Sequence, residues 1–238
     1  MSYNIKMYNK NINIDKIILK KDDDKLFFYY KDNKISPWHN IPYKKKKNLY
    51  YMINEIPKWT RKKMEINIKD DFNPIIQDIE NGKPREYVWG DMMFNYGAIS
   101  QTFEDPNHIY SSTNKKGDGD PIDVIEIGFK QRNIGEIVPV KILGVIPLID
   151  DDETDWKMIA ISEDDPLFNK INNLNDLKQK MTGFLSATFT WFKKYKLPTK
   201  NKLNKFAFGE KAGDEKMAVK LIEQGHSHWK KLISNKEN

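Results

Sequence analysis

Two short stretches gather carboxylates in a way that invites metal chemistry. They are Gly117-Asp118-Gly119-Asp120-Pro121-Ile122-Asp123 and Asp150-Asp151-Asp152-Glu153-Thr154-Asp155. A lone Asp-Gly-Asp is usually a turn, because aspartate closes Asx turns and caps helices. Two such stretches brought to one end of a sheet are a different matter. Carboxylates about 4 Å apart repel by about 4 kcal/mol per pair at an effective dielectric near ~20. The group must therefore spread out, hold protons or be neutralised by cations. Oxygen-only ligands without His or Cys suit a hard cation, Mg²⁺ ahead of Ca²⁺ or Mn²⁺. A calcium-binding EF-hand loop starting at Asp118 fails on spacing, since Ile122 and Phe129 stand where ligands belong.

Basic and phenolic residues would complete such a site. Lys63, Arg85, Lys157 and Lys196 are candidate anion ligands, with Tyr96 and Tyr195 as hydroxyl donors, although each taken singly suits the surface. Lys157 lies two residues beyond Asp155 and shares its face on an extended strand. Metal ions beside lysine and arginine fit a compact, multiply charged phosphate. Other chemistries lack their residues. There is no Gly-x-x-x-x-Gly-Lys-Ser/Thr loop, no Gly-x-Gly-x-x-Gly and no Gly-x-Ser-x-Gly elbow. With no cysteine, disulfides, thiolate zinc sites and cysteine nucleophiles are excluded. His226 and His228, two apart on an expected helix, point to different faces, while His39 and His108 read as solvated or turn histidines.

The elements that must position these groups are mostly strands. Residues 49–53, 64–68, 122–127, 137–149 and 158–161 are rich in Val, Ile and Tyr and bounded by turn residues. If 122–127 and 137–149 form an antiparallel hairpin, residues near 120 face residues near 147, and both acidic stretches emerge at one open end. The last third changes period. Phe184, Thr188, Trp191, Phe192 and Tyr195 recur at helical spacing, with Pro198 just beyond. Met217, Leu221, Ile222, Trp229 and Leu232 suggest a second helix that Gly225 interrupts. Strands first and helices last imply an α+β layout, mainly β, with a small closed barrel flanked by C-terminal helices. Apolar clusters on either side of an acidic turn at 22–24 suggest an N-terminal β extension, a hairpin laid on the body and reaching to about Lys34.

Charge and hydropathy bound the setting. The net charge of +6 raises nucleic-acid binding, but 34 acids accompany the 40 bases. The run Lys44–Lys47 reads as a solvated loop. No apolar run of ~18 residues is present, so nothing is expected to span a membrane. The N-terminal stretch has no secretory core, and the cytoplasm is the default compartment.

The string from Gly117 to Val124 resembles the signature of the family I soluble inorganic pyrophosphatases: Asp, any residue, Asp, Pro, Ile or Val, Asp. More of the family's pattern follows in order. Glu55-Ile56-Pro57-Lys58-Trp59-Thr60 stands with Lys63 and Glu65, then come Asn95-Tyr96-Gly97, Glu153-Thr154-Asp155-Trp156-Lys157 and Trp191-Phe192-Lys193-Lys194-Tyr195-Lys196. The likeness covers Ser36 to Ile233 and is nearest the eukaryotic branch.

The resemblance implies a five-stranded, oligonucleotide-binding (OB)-type barrel, a catalytic domain over 35–238 behind an extension over 1–34, and Mg²⁺-dependent hydrolysis of pyrophosphate to two orthophosphates. It also implies roles. Asp118, Asp123 and Asp155 would hold one Mg²⁺, with Asp123 shared by a second. Asp150 and Asp155 would hold an ion arriving with substrate, Glu65 would serve a further ion, and Glu55 would be a supporting carboxylate. Asp120 would orient and deprotonate the attacking water. Lys63, Arg85, Tyr96, Lys157, Tyr195 and Lys196 would bind phosphate, with Lys63, Arg85 and Tyr96 counted among the catalytic groups. A homodimer is the family's assembly. However, the segment between Arg85 and Tyr96, which joins the interface in fungal and animal relatives, is shorter here, and Lys58 replaces an arginine. The alternative is a basic barrel that holds single-stranded nucleic acid or polyphosphate without hydrolysis. The acidic stretches would repel that ligand.

Overall fold

The computed structural model describes residues 12–235, and the N-terminal residues read above for targeting features lie outside them. In chain order the strands used below are β1 (Ile17–Asp22), β2 (Lys25–Tyr30), β3 (Leu49–Ile56), β4 (Met64–Ile66), β5 (Ile75–Gln77), β6 (Asn95–Ile99), β7 (Asp123–Glu126), β8 (Ile137–Asp150) and β9 (Glu153–Ser162). The helices are α1 (Leu174–Lys180), α2 (Phe184–Lys194), α3 (Leu197–Lys200) and α4 (Glu215–Asn235).

Five of these strands close into a ring, β3–β6–β7–β9–β8 and back to β3. All neighbours are antiparallel except β7 and β9, which run parallel. The 14-residue β8 makes closure possible, because its start pairs with β3 and the rest with β9. A register shift between Ile142 and Gly144 lets it bend between these partners. The strands read as continuous apolar runs because both faces are covered. Val124, Val140 and Met158 pack in one cluster with Leu221 and Ile222 of α4. Their neighbours Ile125 and Ile159 pack in another with Trp191 and Phe192 of α2. The expected OB-type barrel is therefore present.

Two expectations need correction. The hairpin between 122–127 and 137–149 does not form, for β7 sits between β6 and β9. The cause lies in residues 128–136, which are tied to other strands. Arg132 N donates to Asn95 Oδ1 at 2.9 Å, Gly135 N to the Asn54 carbonyl at 2.7 Å, and Asn54 N to the Glu136 carbonyl at 2.9 Å. Those bonds carry the chain across the barrel end, so that β8 starts beside β3, with Ile137 opposite Ile53.

Gly225 does not interrupt its helix. A Cβ there would lie 2.5 Å from Ile122 Cδ1, so glycine lets α4 seat closely on the barrel.

His39 and His108 stand in turns, one of the two settings expected for them, and neither is exposed. His39 is buried and accepts from Trp229 Nε1 at 2.9 Å, and His226 Nδ1 donates to the Gln101 carbonyl at 2.7 Å. His108 lies against His228, with ring centroids 4.8 Å apart.

The hairpin β1–β2 is as expected, with Asp23 at φ 53 in its turn. It does more than lie on the body. Leu26 pairs with Ile75, so β2 extends a second sheet through β5 to β4. The lysine run includes a short edge strand, Lys44–Lys46, whose ammonium groups pair with Glu223 and Glu163.

Candidate active site

The parallel pairing of β7 with β9 brings the acidic stretches together. Asp123 lies opposite Lys157, and Gly117 bridges to Thr154. The second stretch proves to be a tight hairpin turn: Asp150 pairs with Glu153, while Asp151 and Asp152 take φ of 45° and 73°. Short polar side chains tolerate that region. The first stretch is clamped to the backbone of Glu104, whose carbonyl accepts from Gly119 N at 2.9 Å and whose N–H donates to the Asp120 carbonyl at 2.9 Å. A Cβ at Gly117 would stand 2.4 Å from that carbonyl, so the clamp requires glycine there.

The result is a dense acidic pocket. One carboxylate oxygen each from Glu104, Asp118 and Asp155 lies within 4.8 Å of the others. Glu104 Oε1 accepts from Trp156 N at 3.1 Å, while its buried Oε2 has no hydrogen-bond partner. Asp118 Oδ1 accepts from Asp120 N at 3.0 Å. Burial and mutual repulsion keep these acids protonated to unusual pH. Burial, then the charge of Asp118, holds Glu104 well above the usual carboxylate range. Burial, then Asp155, does the same for Asp118. Asp155 is pushed up to about 7 by burial and by Asp123 and Asp150, against the pull of Lys157. Asp120 is raised to about 6 by burial, Asp123 and Glu65. An orphaned oxygen among crowded carboxylates fits a divalent cation.

A wall of cations faces the pocket. Lys157 is only 4% exposed, and its Nζ donates to Tyr96 Oη at 2.8 Å and contacts both Asp123 and Asp155. Tyr96 Oη donates in turn to Asp123 Oδ2 at 2.5 Å. Lys63 pairs with Glu65 at 2.5 Å and with Asp78 at 3.0 Å, and Arg85 reaches the same Asp78 oxygen at 2.9 Å. Opposite them, Asp150 receives Tyr195 Oη at 2.7 Å and the Lys196 ammonium. Lys196, also 4% exposed, reaches Asp151 at 2.8 Å. Glu55 sits under the floor of β3, accepting from Ile66 N at 2.7 Å, and burial followed by the Asp123 charge holds it well above its usual range.

The residues singled out in the sequence are therefore joined in one cluster of contacts and close charges: Glu55, Lys63, Glu65, Arg85, Tyr96, Asp118, Asp120, Asp123, Asp150, Asp155, Lys157, Tyr195 and Lys196. Lys157 and Lys196 are not the surface residues that lysines usually are. Two members were missed. Glu104 is a solitary acid in sequence, and only barrel closure places it in the pocket. Asp78 couples Lys63 to Arg85 from a segment with no motif.

A barrel whose end carries crowded carboxylates beside fixed lysine and arginine defines a metal-dependent hydrolase of phosphate compounds. Comparison with known proteins narrows the class. The family model for inorganic pyrophosphatase matches residues 52–230. An inorganic pyrophosphatase of Homo sapiens is 46% identical over 213 residues, spanning 86% of this chain and 72% of that protein. Among solved structures, a Trypanosoma cruzi vacuolar soluble pyrophosphatase in complex with pyrophosphate superposes with a TM-score of 0.87 at 38% identity, covering 91% of this chain and 90% of that one. An inorganic pyrophosphatase from Schistosoma japonicum gives 0.87 at 41% identity, covering 91% and 80%. The chain belongs to the inorganic pyrophosphatase family.

Proposed function

We propose that this chain hydrolyses inorganic pyrophosphate to two orthophosphates with Mg²⁺, using the cavity at the barrel end. The observation that carries the reading is the triad Glu104, Asp118 and Asp155, with ligand oxygens within 4.8 Å and one orphaned. Asp118, Asp123 and Asp155 are the proposed ligands of one Mg²⁺. Asp123 would also help to hold a second ion, Asp150 and Asp155 would hold one entering with substrate, and Glu65 would serve a further one. Glu104 and Glu55 support the set. Bound Mg²⁺ supplies polarisation of water and neutralisation of phosphate charge.

The chain's own residues do the rest. Asp120 holds the attacking water and accepts its proton as the new P–O bond forms. A carboxylate raised to about 6 suits a base working near neutrality. The bridging P–O bond breaks with its electron pair going to the leaving phosphate. Lys63, Arg85, Tyr96, Lys157, Tyr195 and Lys196 orient the diphosphate and offset the charge developing on it. Their paired carboxylates, Asp78 for Lys63 and Arg85 and Asp150 for Lys196, hold these cations in place before substrate arrives. No covalent phosphoenzyme is needed.

The test is phosphate release from pyrophosphate, ATP and a phosphate monoester, each with Mg²⁺. Release from pyrophosphate well ahead of the other two supports the reading, and equal or absent release overturns it. Binding of oligonucleotide without phosphate release would favour the nucleic-acid module instead; against that module stand the crowded carboxylates of the site. Residues 1–34 as an extension to a catalytic domain, and the cytoplasm as compartment, are proposed on the sequence pattern alone. Among the described residues no helix is long and apolar enough to cross a membrane. A homodimer is proposed from the family likeness, with sedimentation as its check.

A further inference from the structure

Two residues beyond Arg85, in the shortened segment that leads to Tyr96, stands a phenol that none of the motifs contains. Tyr87 enters the cavity wall through a small antiparallel ladder. Lys63 N donates to the Arg85 carbonyl at 3.1 Å, Tyr87 N to the Arg61 carbonyl at 2.8 Å, and Lys62 bridges to Glu86 between them. Alternation along that ladder puts Lys63, Arg85 and Tyr87 on one face.

The ring is fixed. It meets Trp191 edge-on at 5.0 Å and Tyr195 edge-on at 5.6 Å, and the residue is only 7% exposed. The polar groups around it have protein partners. Trp191 Nε1 donates to the Asp91 carbonyl, Tyr195 Oη to Asp150, Tyr96 Oη to Asp123 and Arg85 to Asp78. The Tyr87 hydroxyl has none among the described residues. The hydroxyl is not among the sealed, unpartnered polar atoms of the interior, so it is open to a ligand oxygen. The charges acting on it suit an anion there: Lys63, Arg85 and Lys157 pull on the phenol, with Asp123 the opposing charge.

We propose that Tyr87 is a substrate-binding residue of this site, donating its hydroxyl to a phosphate oxygen held between Lys63, Arg85 and Lys157. The proposal rests on the pyrophosphatase reading and adds a ligand supplied by this chain's own short connection. Burial pushes the phenol up to about 12, so it remains a protonated donor throughout the working range. The edge-on packing against Trp191 and Tyr195 fixes the donor direction at little entropic cost.

The test is Tyr87→Phe in the full chain, which keeps the ring and its packing. Four quantities are read beside wild type: melting temperature, Mg²⁺ affinity without substrate, affinity for the unreactive imidodiphosphate, and the Michaelis constant for pyrophosphate. A hydrogen bond to a charged acceptor corresponds to about a 10-fold change or somewhat more. The expected result is imidodiphosphate affinity lowered about 10-fold, a Michaelis constant for pyrophosphate raised by a similar factor, and unchanged melting and Mg²⁺ affinity. Unaltered analogue affinity in the variant overturns the proposal. Loss of melting temperature and of analogue affinity together marks Tyr87 as structural and overturns it too. If wild type itself takes up neither Mg²⁺ nor the analogue, the underlying pyrophosphatase reading has failed, and the Tyr87 assignment falls with it.

Discussion

Replacing Asp118 by Asn should make the magnesium-free protein more stable while removing much of its capacity for Mg²⁺. Asp118 shares a space 4.8 Å across with Glu104 and Asp155. At an effective dielectric near ~20, each ionised pair at that separation repels by about 3 kcal/mol. Side-chain relaxation and solvent cut the recoverable part to about 2 kcal/mol, or about 4–8 °C in melting temperature for a chain of this length. The amide keeps the local geometry, since its oxygen can still accept from Asp120 N, now at 3.0 Å.

The gain depends on pH. An acid whose folded pKa is raised holds its proton longer in the folded chain than in the unfolded one. Its favourable contribution is therefore present at low pH and lost as pH climbs through the raised value. For Asp155 that value is about 7, and Glu104 and Asp118 are raised as well. The magnesium-free wild type should lose stability from about pH 4, where the unfolded carboxylates ionise, up to about pH 7 and beyond, and Asp118→Asn should lose less. Melting by differential scanning fluorimetry in chelator, at pH 5.5 and pH 8.5, reads this directly. The variant should exceed wild type at both pH values, by more at pH 8.5 than at pH 5.5, and fall behind once Mg²⁺ is added. A variant less stable than wild type at pH 8.5 without Mg²⁺ would refute the claim that repulsion governs this pocket.

Two further substitutions separate the roles assigned within the cavity. Asp120→Asn should lower turnover by about 10²–10⁴-fold, the usual contribution of a positioned base, while leaving Mg²⁺ affinity within a few-fold. Unchanged turnover would remove Asp120 from its role. Arg85→Ala should raise the Michaelis constant for pyrophosphate by about 10–100-fold, as expected for a lost charge-assisted contact, with a small effect on melting because Asp78 keeps Lys63 at 3.0 Å. A normal Michaelis constant would contradict the assignment.

Local pattern made the strands and the principal helices readable, because β-branched runs and 3.6-residue spacing report burial directly. The hairpin around Asp23 and the helix carrying Trp191 and Phe192 followed from such patterns. Partner choice between strands did not. Residues 137–149 could pair with 122–127 on sequence grounds, and only the bonds of residues 128–136 to Asn54 and Asn95 send β8 to β3 instead. The meeting of the acidic stretches was anticipated for the wrong reason, and it arises from the parallel pairing of β7 with β9. Glu104 shows the same limit. No spacing marks it, and its place beside Asp118 and Asp155 is a consequence of ring closure. Gly225 looked like a helix break because its packing partner, Ile122, is distant in sequence.

Titration calorimetry with Mg²⁺, run with and without imidodiphosphate at pH 6.5 in two buffers of different ionisation enthalpy, probes the carboxylate pocket most directly. Ions displacing protons from Glu104, Asp118 and Asp155 should give a binding heat that changes with the buffer, and more than one ion per chain when the analogue is present. Absence of Mg²⁺ uptake by folded protein under both conditions would contradict the account at its foundation.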